Sequence, residues 1–331
     1  MKQWDIAALG EILIDFVSLP QPDPGKIVME GNPGGAPANL LAQAARLGRS
    51  TAFIGKAGRD AFGGLLQDTL TRAGIDARGL VRGAEPTTLA MVTLNSAGDR
   101  SFAFYRDRTA DVALTPAEVD PALLAGCRIF HFGSVSLAAE PARGTTLWAA
   151  KTAGEAGAVV SYDPNYRPLL WHSADEAREQ MLRGLALARL VKVSEEELAL
   201  LSGRAGLREG LEALCARFPQ VELLTATLGA EGCACLRPAD GLYLRLPTYR
   251  MECVDTTGAG DSCWGAFLTR LLEEGGDVRA LTHRTLESCL RFACAAGTLT
   301  TTARGAIPAL RGRQDILDCM ARAPLYPLKD Q

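Results

Sequence analysis

Between Val254 and Phe267 the chain reads VDTTGAGDSCWGAF, with two aspartates, Asp255 and Asp261, on either side of a Thr-Thr-Gly-Ala-Gly turn. Gly258, Ala259 and Gly260 leave their backbone N–H groups unshielded, and the small and apolar residues after them predict a helix. Bare amides at the positive end of a helix form an anion site. Asp261 falls in the first helical turn, where its carboxylate is held ionised and can accept a proton from a hydroxyl. The amides can meanwhile take up charge on a transferring phosphoryl group, which is general-base plus electrostatic catalysis. Taken alone, the stretch also reads as a turn with a capping aspartate. It is not a dinucleotide fingerprint, because G-x-G-x-x-G fails at Cys263. Gly25-Lys26 and Gly55-Lys56 lack the spacing and the following Ser or Thr of a P-loop.

The elements that must position this stretch alternate between strand and helix patterns. Residues 6–16 read as a strand, 36–48 as a helix with Pro37 in its first turn and Gly48 as its stop, and 51–58 as a strand. Asp60 caps the helix that Gly74 closes. Residues 87–106 are instead β-rich, with Asn-Ser-Ala-Gly-Asp at 95–99 as a hairpin turn. Residues 17–31 are extended and irregular. These two pieces do not fit the alternation and predict a small sheet apart from the main one. The alternation resumes from 128 and ends in a hairpin at 231–247 and helices at about 260–274, 278–297 and 313–321. This rhythm predicts a mostly parallel sheet covered on both faces, with ligands beyond the carboxyl ends of its strands. Six strand ends carry polar or glycine-rich groups: Asp15; Gly34, Gly35 and Asn39; Arg106; Asp163, Asn165 and Arg167; Lys192, Ser194 and Glu197; Thr227, Gly229 and Gly232. On such a sheet they converge on one crevice.

Composition narrows the partners. The 331 residues are 47% hydrophobic with a formal net charge of −3, and no basic run is present. No nucleic-acid or anionic-membrane partner is therefore expected. Glu11 and Asp15 interrupt the apolar N-terminal run, so a buried strand carrying polar residues is expected there rather than a signal peptide or membrane span. Nine scattered cysteines without a C-x-x-C pair predict reduced thiols and a cytoplasmic protein. Three histidines far apart in sequence argue against a zinc site or a histidine-centred triad. His131 reads as a core histidine, Glu195 and Glu196 as a solvated first turn, and Trp148, Trp171 and Trp264 as packing, with Trp171 also a candidate wall of the site.

The motifs GGAPAN with ARLG, FIGKAG, FHFGSVSL, DPNYR, KVSEEEL and VDTTGAGD resemble those of the ribokinase-type (PfkB) family of sugar kinases, over residues 5 to 310. Within that family the chain is most similar to bacterial fructokinases. The resemblance implies one ribokinase-like, three-layer α/β/α domain over 1–331, its lid formed by about 13–33 and 87–108. It implies ATP and Mg²⁺ as cofactors with K⁺ beside them, a small sugar as substrate, and a lid that can pair into a homodimer. Asp261 then falls on the catalytic base and Gly258, Ala259 and Gly260 on the γ-phosphate anion hole. Asp15, Gly34, Gly35, Asn39, Arg106, Asn165 and Arg167 fall on the sugar side. Lys192, Ser194, Thr227, Gly229 and Gly232 fall on the nucleotide side, with Ser194 replacing the family's Asn. Glu197 would place Mg²⁺ through water. Asp255 and Thr257, with the carbonyls of Thr300, Ala303 and Gly305, would hold a monovalent cation, although Ala309 stands where relatives have Ser.

The function implied is conversion of fructose and ATP to fructose 6-phosphate and ADP. Arg106 and Arg167 also suit a carboxylated sugar, so a 2-keto-3-deoxygluconate kinase is the alternative. A non-catalytic sugar or nucleotide sensor would have a damaged base or anion hole, and neither is seen. A nicotinamide dehydrogenase would need a glycine-rich loop after the first strand, where EILIDF stands instead.

Overall fold

The computed structural model describes residues 2–19, 26–94 and 100–328. In chain order the first half consists of β1 (Trp4–Leu9), β2 (Leu13–Ser18), β3 (Met29–Gly34), α1 (Ala36–Arg46), β4 (Thr51–Gly58), α2 (Ala61–Arg72), β5 (Ile75–Gly83), β6 (Leu89–Leu94), β7 (Arg100–Tyr105), α3 (Pro121–Ala125), β8 (Cys127–Gly133), α4 (Ala142–Glu155) and β9 (Val159–Asp163). The second half consists of α5 (Ala174–Leu185), β10 (Leu190–Ser194), α6 (Glu195–Ser202), α7 (Leu207–Arg217), β11 (Leu223–Thr227), β12 (Cys233–Arg237), β13 (Leu242–Leu246), α8 (Ala259–Glu273), α9 (His283–Thr300) and α10 (Arg313–Arg322).

Nine strands form one sheet in the order β13-β12-β11-β10-β9-β8-β1-β4-β5. Its pairings are parallel except for the hairpin strands β12 and β13 at one edge. The strand alternation sorts the core into two layers. Ile6 and Ala8 of β1 pack with α1, α2, α8, α9 and α10, whereas Ala7 and Leu9 pack with α3 to α7. The architecture is thus α/β/α, as expected. From β1 the chain runs outward through β4 to β5, then returns to β8 on the other side of β1 and runs outward again through β9 to β11. That reversal opens a crevice at the carboxyl ends of β1 and β8.

A second sheet, β3-β2-β6-β7, stands apart. Strands β3, β6 and β7 come largely from the two segments that broke the alternation, whereas β2 takes up the end of the run expected as the first strand. The expected turn at 95–99 and part of the extended segment, 20–25, lie outside the described residues.

Two expectations are corrected. Residues 6–16 are not one strand. Glu11 turns toward the start of α1, where its Oε1 accepts the Ala36 N–H at 3.0 Å. A Cβ on Gly10 would stand 2.7 Å from the Pro37 ring. The chain therefore leaves the large sheet at Gly10, and Asp15 lies in β2 of the second sheet rather than at the end of the first strand. Strand β5 was not expected, because its charged residues hide the alternation; as an edge strand it pairs with β4 alone. The helix expected at 278 starts at His283, after Thr282 caps it by accepting the Thr285 N–H. All nine cysteines are unbridged. Among the described residues, no helix is long and apolar enough to cross a membrane.

Candidate active site

Helix α8 opens at Ala259, and Gly258 before it takes φ 74°, a left-handed conformation that favours glycine. A Cβ on Gly258 would also lie 2.6 Å from that of Ala306. At Gly260 an added Cβ would come within 3.0 Å of the Lys192 ammonium. Among the described residues the Gly258 and Gly260 N–H groups have no hydrogen-bond acceptor, whereas the Ala259 N–H donates to the Thr256 carbonyl at 3.2 Å, so the expected three-amide hole keeps two open amides with a cation beside them. Asp261 follows, 8% exposed, and its Oδ2 accepts a hydrogen bond from Asn39 Nδ2 at 2.9 Å. Burial pushes its pKa up to about 6, reinforced by the negative charge of Asp163 and opposed by the Asn39 bond, Lys192 and Arg167.

Three contacts fix α8 to the body. Ser262 Oγ donates to Gln43 Oε1 of α1 at 2.9 Å. Trp264 donates from Nε1 to Ser161 Oγ of β9 at 2.8 Å and stacks on Phe267. Gly265 lets α8 approach α1 so closely that a Cβ would lie 2.5 Å from the Leu40 carbonyl oxygen. His131 Nδ1 lies 3.0 Å from the same Ser161 hydroxyl, buried and satisfied as expected. Trp171 is buried and Trp148 half-exposed; Glu195 and Glu196 are exposed.

Lys192 Nζ lies 2.6 Å from Asp163 Oδ2, both almost fully buried. The β9–β10 register explains the meeting: Val191 pairs with Tyr162, which sets the next two residues side by side. Burial opposes the charged lysine, but Asp163 and Glu197 outweigh it and hold its pKa above the ordinary value. Asp163 Oδ1 accepts the Asn165 N–H at 3.2 Å, and Asn165 adopts φ 49°. Glu197 is equally buried. Its two oxygens accept the N–H groups of Tyr166 at 2.6 Å and Ser194 at 2.7 Å, while Ser194 caps α6 in return. A cleft of about 400 Å³ opens here, lined by Asn165, Arg167, Lys192, Ser194 and Glu197 among others.

Asp15 of β2 lies within the field of Arg167, Asp261 and Asp255. Burial pushes its pKa up to about 6, Arg167 opposes, and Asp261 and Asp255 add to it. A side chain on Gly34 would collide with Asp15 Oδ2. Gly35 takes φ 126°, and a Cβ there would meet the Glu11 carbonyl oxygen at 2.5 Å. Arg106, directly after β7, is ion-paired through Nε to Asp111 at 2.7 Å, and among the described residues its buried Nη2 has no hydrogen-bond partner. Thr88 and Thr109 also donate to Asp111. Glu11 lies in this cluster with its pKa pushed up to about 7, chiefly by burial.

Behind the α8 turn, Asp255 Oδ1 accepts from the backbone N–H of Thr257 at 3.0 Å and its hydroxyl at 2.7 Å, and Oδ2 accepts the Gly305 N–H at 3.0 Å. The Thr301 carbonyl takes the N–H groups of Val254 and Asp255. Among the described residues, the carbonyls of Thr300, Ala303 and Gly305 accept no hydrogen bond. Beyond β11, Thr227 donates to the Val193 carbonyl, Gly229 at φ 57° faces open space, and Gly232 at φ 91° has its Cβ position filled by the Leu246 carbonyl.

The arrangement thus gathers Asp15, Asn39, Arg167, Lys192, Asp261 and the 258–260 amides about one crevice, with Asp255 and the 300–305 turn behind it. Arg106 is tied to Asp111, and Ser194 and Glu197 are occupied in capping. Sequence reasoning noted Asp163 only as a strand end and Glu11 only as an interruption. The signal for Asp163 was a carboxylate ending one strand beside a lysine in the next.

The profile described as pfkB family carbohydrate kinase matches residues 4–311. Fructokinase-1 of Oryza sativa subsp. japonica is 41% identical over 324 residues, 96% of this chain and 98% of that protein. The chain belongs to the pfkB family of carbohydrate kinases. Among solved structures, the ATP-bound fructokinase of Xylella fastidiosa superposes on this kinase with TM-score 0.87 and 32% identity, over 96% and 98% of the two chains. A double-mutant fructokinase of Vibrio cholerae O395, in a form with fructose, ADP and potassium ion bound, superposes with TM-score 0.82 and 30% identity, over 97% and 99%. The kinase therefore has the ribokinase-like fold that its motifs implied.

Proposed function

We propose that this kinase is a fructokinase, transferring the γ-phosphoryl group of ATP to fructose to give fructose 6-phosphate and ADP, with Asp261 as general base. The observation that carries the reading is the buried Asp261 carboxylate, oriented by Asn39 and set beside the open Gly258 and Gly260 amides and the Lys192 ammonium. Asn39 holds Oδ2, and among the described residues Oδ1 accepts no hydrogen bond, so it is available to a hydroxyl proton. Gly258, Ala259 and Gly260 with Lys192 offset phosphate charge as it develops. Asp15, Gly34, Gly35, Asn39, Asn165 and Arg167 bind the sugar, and Arg106, held by Asp111, borders it from the second sheet. That sheet acts as the lid that excludes water. Thr227, Gly229 and Gly232 receive the nucleotide, with Lys192 and Ser194 on its phosphate side.

The donor sets suit two ions differently. Among the described residues no cluster of three acidic, His or Cys side chains could hold a metal. Glu197 already accepts two backbone N–H groups, so it would hold Mg²⁺ through water, and the ion would supply charge neutralisation at the phosphates. The carbonyls of Thr300, Ala303 and Gly305, with Thr257 and the charge of Asp255, suit K⁺, in line with the potassium-bound relative. The ion pair of Arg106 with Asp111 counts against a two-arginine clamp for a carboxylated sugar. The exposed Ile27 and Tyr105 of the lid region give a second copy of the chain a surface to pair with. The unbridged cysteines suit the cytoplasm.

The test is a sugar panel of fructose, glucose, ribose and 2-keto-3-deoxygluconate with ATP and Mg²⁺, with and without K⁺. Fructose should give the highest kcat/KM. Preference for ketodeoxygluconate would move the assignment to the acid-sugar kinases, and failure with every sugar would overturn it.

A further inference from the structure

We infer that Asp163 is a positioning residue for phosphoryl transfer: it holds the Lys192 ammonium against the anion hole and faces Asp261 with a fixed negative charge. The inference rests on the kinase reading and assigns a role to a residue outside the proposed contacts.

The geometry is specific. Lys192 reaches the α8 turn from β10, a neighbouring strand of the crevice. Its ammonium fills the space that a side chain on Gly260 would need. A flexible lysine would not stay there on its own. Asp163 Oδ2 grips Nζ at 2.6 Å, and Asp163 is itself held by the Asn165 N–H on its other oxygen. Asn165 adopts φ 49°, an uncommon conformation for a residue other than glycine, and the turn it makes brings that N–H onto the carboxylate. A buried ion pair adds little net stability over an apolar pair of the same size. Here it places a positive charge where phosphate charge would develop. The pair also acts on the base in two opposing senses. Asp163 raises the proton affinity of Asp261, second only to burial, and Lys192 lowers it.

The groups facing Asp261 are few enough to make this testable. They are Asn39 from α1, Asp163 from β9, Arg167 from the following turn, Lys192 from β10 and Asp15 from the lid strand β2. His131, beneath Asp163, has its pKa pushed down to about 4 by burial and stays neutral at working pH.

The experiment measures kcat/KM for sugar against pH for wild type, Asp163→Asn, Lys192→Met and the double variant. In Asp163→Asn the acid limb should move down by about one pH unit, the usual effect of one nearby charge. In Lys192→Met it should move up. In the double variant it should return close to wild type. Turnover should fall roughly tenfold to a thousandfold in Lys192→Met, the range for losing one stabilising group. The double variant should be no slower than Lys192→Met, because Asp163 acts through the lysine. A limb that stays in place in Asp163→Asn, or single losses that multiply in the double variant, would overturn the inference. The limb position does not depend on the folded fraction, so partial unfolding of a single variant does not blur the result. The double variant removes both buried charges and leaves neither unpaired. If wild type phosphorylates no sugar, the kinase reading fails instead.

Discussion

Asp261 must be buried enough to sit beside phosphate without water, yet ionised enough to take a proton. The structure meets both needs with one hydrogen bond from Asn39 and a balance of neighbouring charges. Replacing Asp261 with alanine should lower kcat by about 10²–10⁴, the usual share of a general base. Circular dichroism should show the fold unchanged, and near-normal turnover in that variant would sink the assignment. Gly260→Ala is the matching test of the anion hole. Its methyl group would enter the space of the Lys192 ammonium, so turnover should fall and the KM for ATP should rise, while thermal melting shifts little. Unchanged kinetics would mean that the lysine is not needed at that spot. The sequence made Asp261 and its glycines legible because their chemistry is local, contained in one turn. The Asp163–Lys192 pair depends on strand register across the sheet, and Arg106 depends on Asp111, which the sequence reading did not single out.

Helix α8 carries the base, and its aim depends on contacts away from the substrate. Trp264 is the largest of these, tying the helix to β9 through Ser161. Trp264→Phe should keep most of the packing but lose that bond, lowering stability by about 0.5–1.5 kcal/mol, the usual net worth of one hydrogen bond, since Ser161 keeps His131 as a partner. Urea denaturation reads this directly, and an unchanged midpoint would show that the Ser161 bond is dispensable. The turn behind the helix is a second element with its own test. If its carbonyls hold K⁺, potassium should raise the turnover of wild type, and Asp255→Ala should abolish the response, because the carboxylate pins Thr257 and Gly305 together. Indifference of wild type to K⁺ would remove the cation from the account. At this scale the helices were legible, since their caps and stops are written in adjacent residues. The break at Gly10–Ile12 was not, because it arises from contacts with Pro37 and Ala36 that only the folded chain brings near. The edge strand β5 was hidden by its charges.

For the whole molecule, Asp15 and Asp261 have their pKa values raised to about 6 and Glu11 to about 7. Each keeps its proton in the folded chain at a pH where the unfolded chain has lost it. The folded state therefore binds more protons between the ordinary carboxylate range and about pH 7, and these groups make stability fall as pH rises through that window. Activity should rise over the same window as Asp261 ionises. Glu11→Gln should gain on wild type between about pH 5 and about pH 8, by up to ~3 kcal/mol for a shift of this size. Denaturation midpoints at the two pH values measure it, and a pH-independent difference would refute it. The fold class was legible at this scale because the βα rhythm runs through most of the chain; the way the second sheet joins the first was not. The position of β1 between β4 and β8 also has a consequence during synthesis. The ribosome delivers β4 soon after β1, but β8 emerges only after all four strands of the second sheet. The nascent chain therefore waits with one apolar edge of its central strand open, and that edge is where a chaperone would be needed.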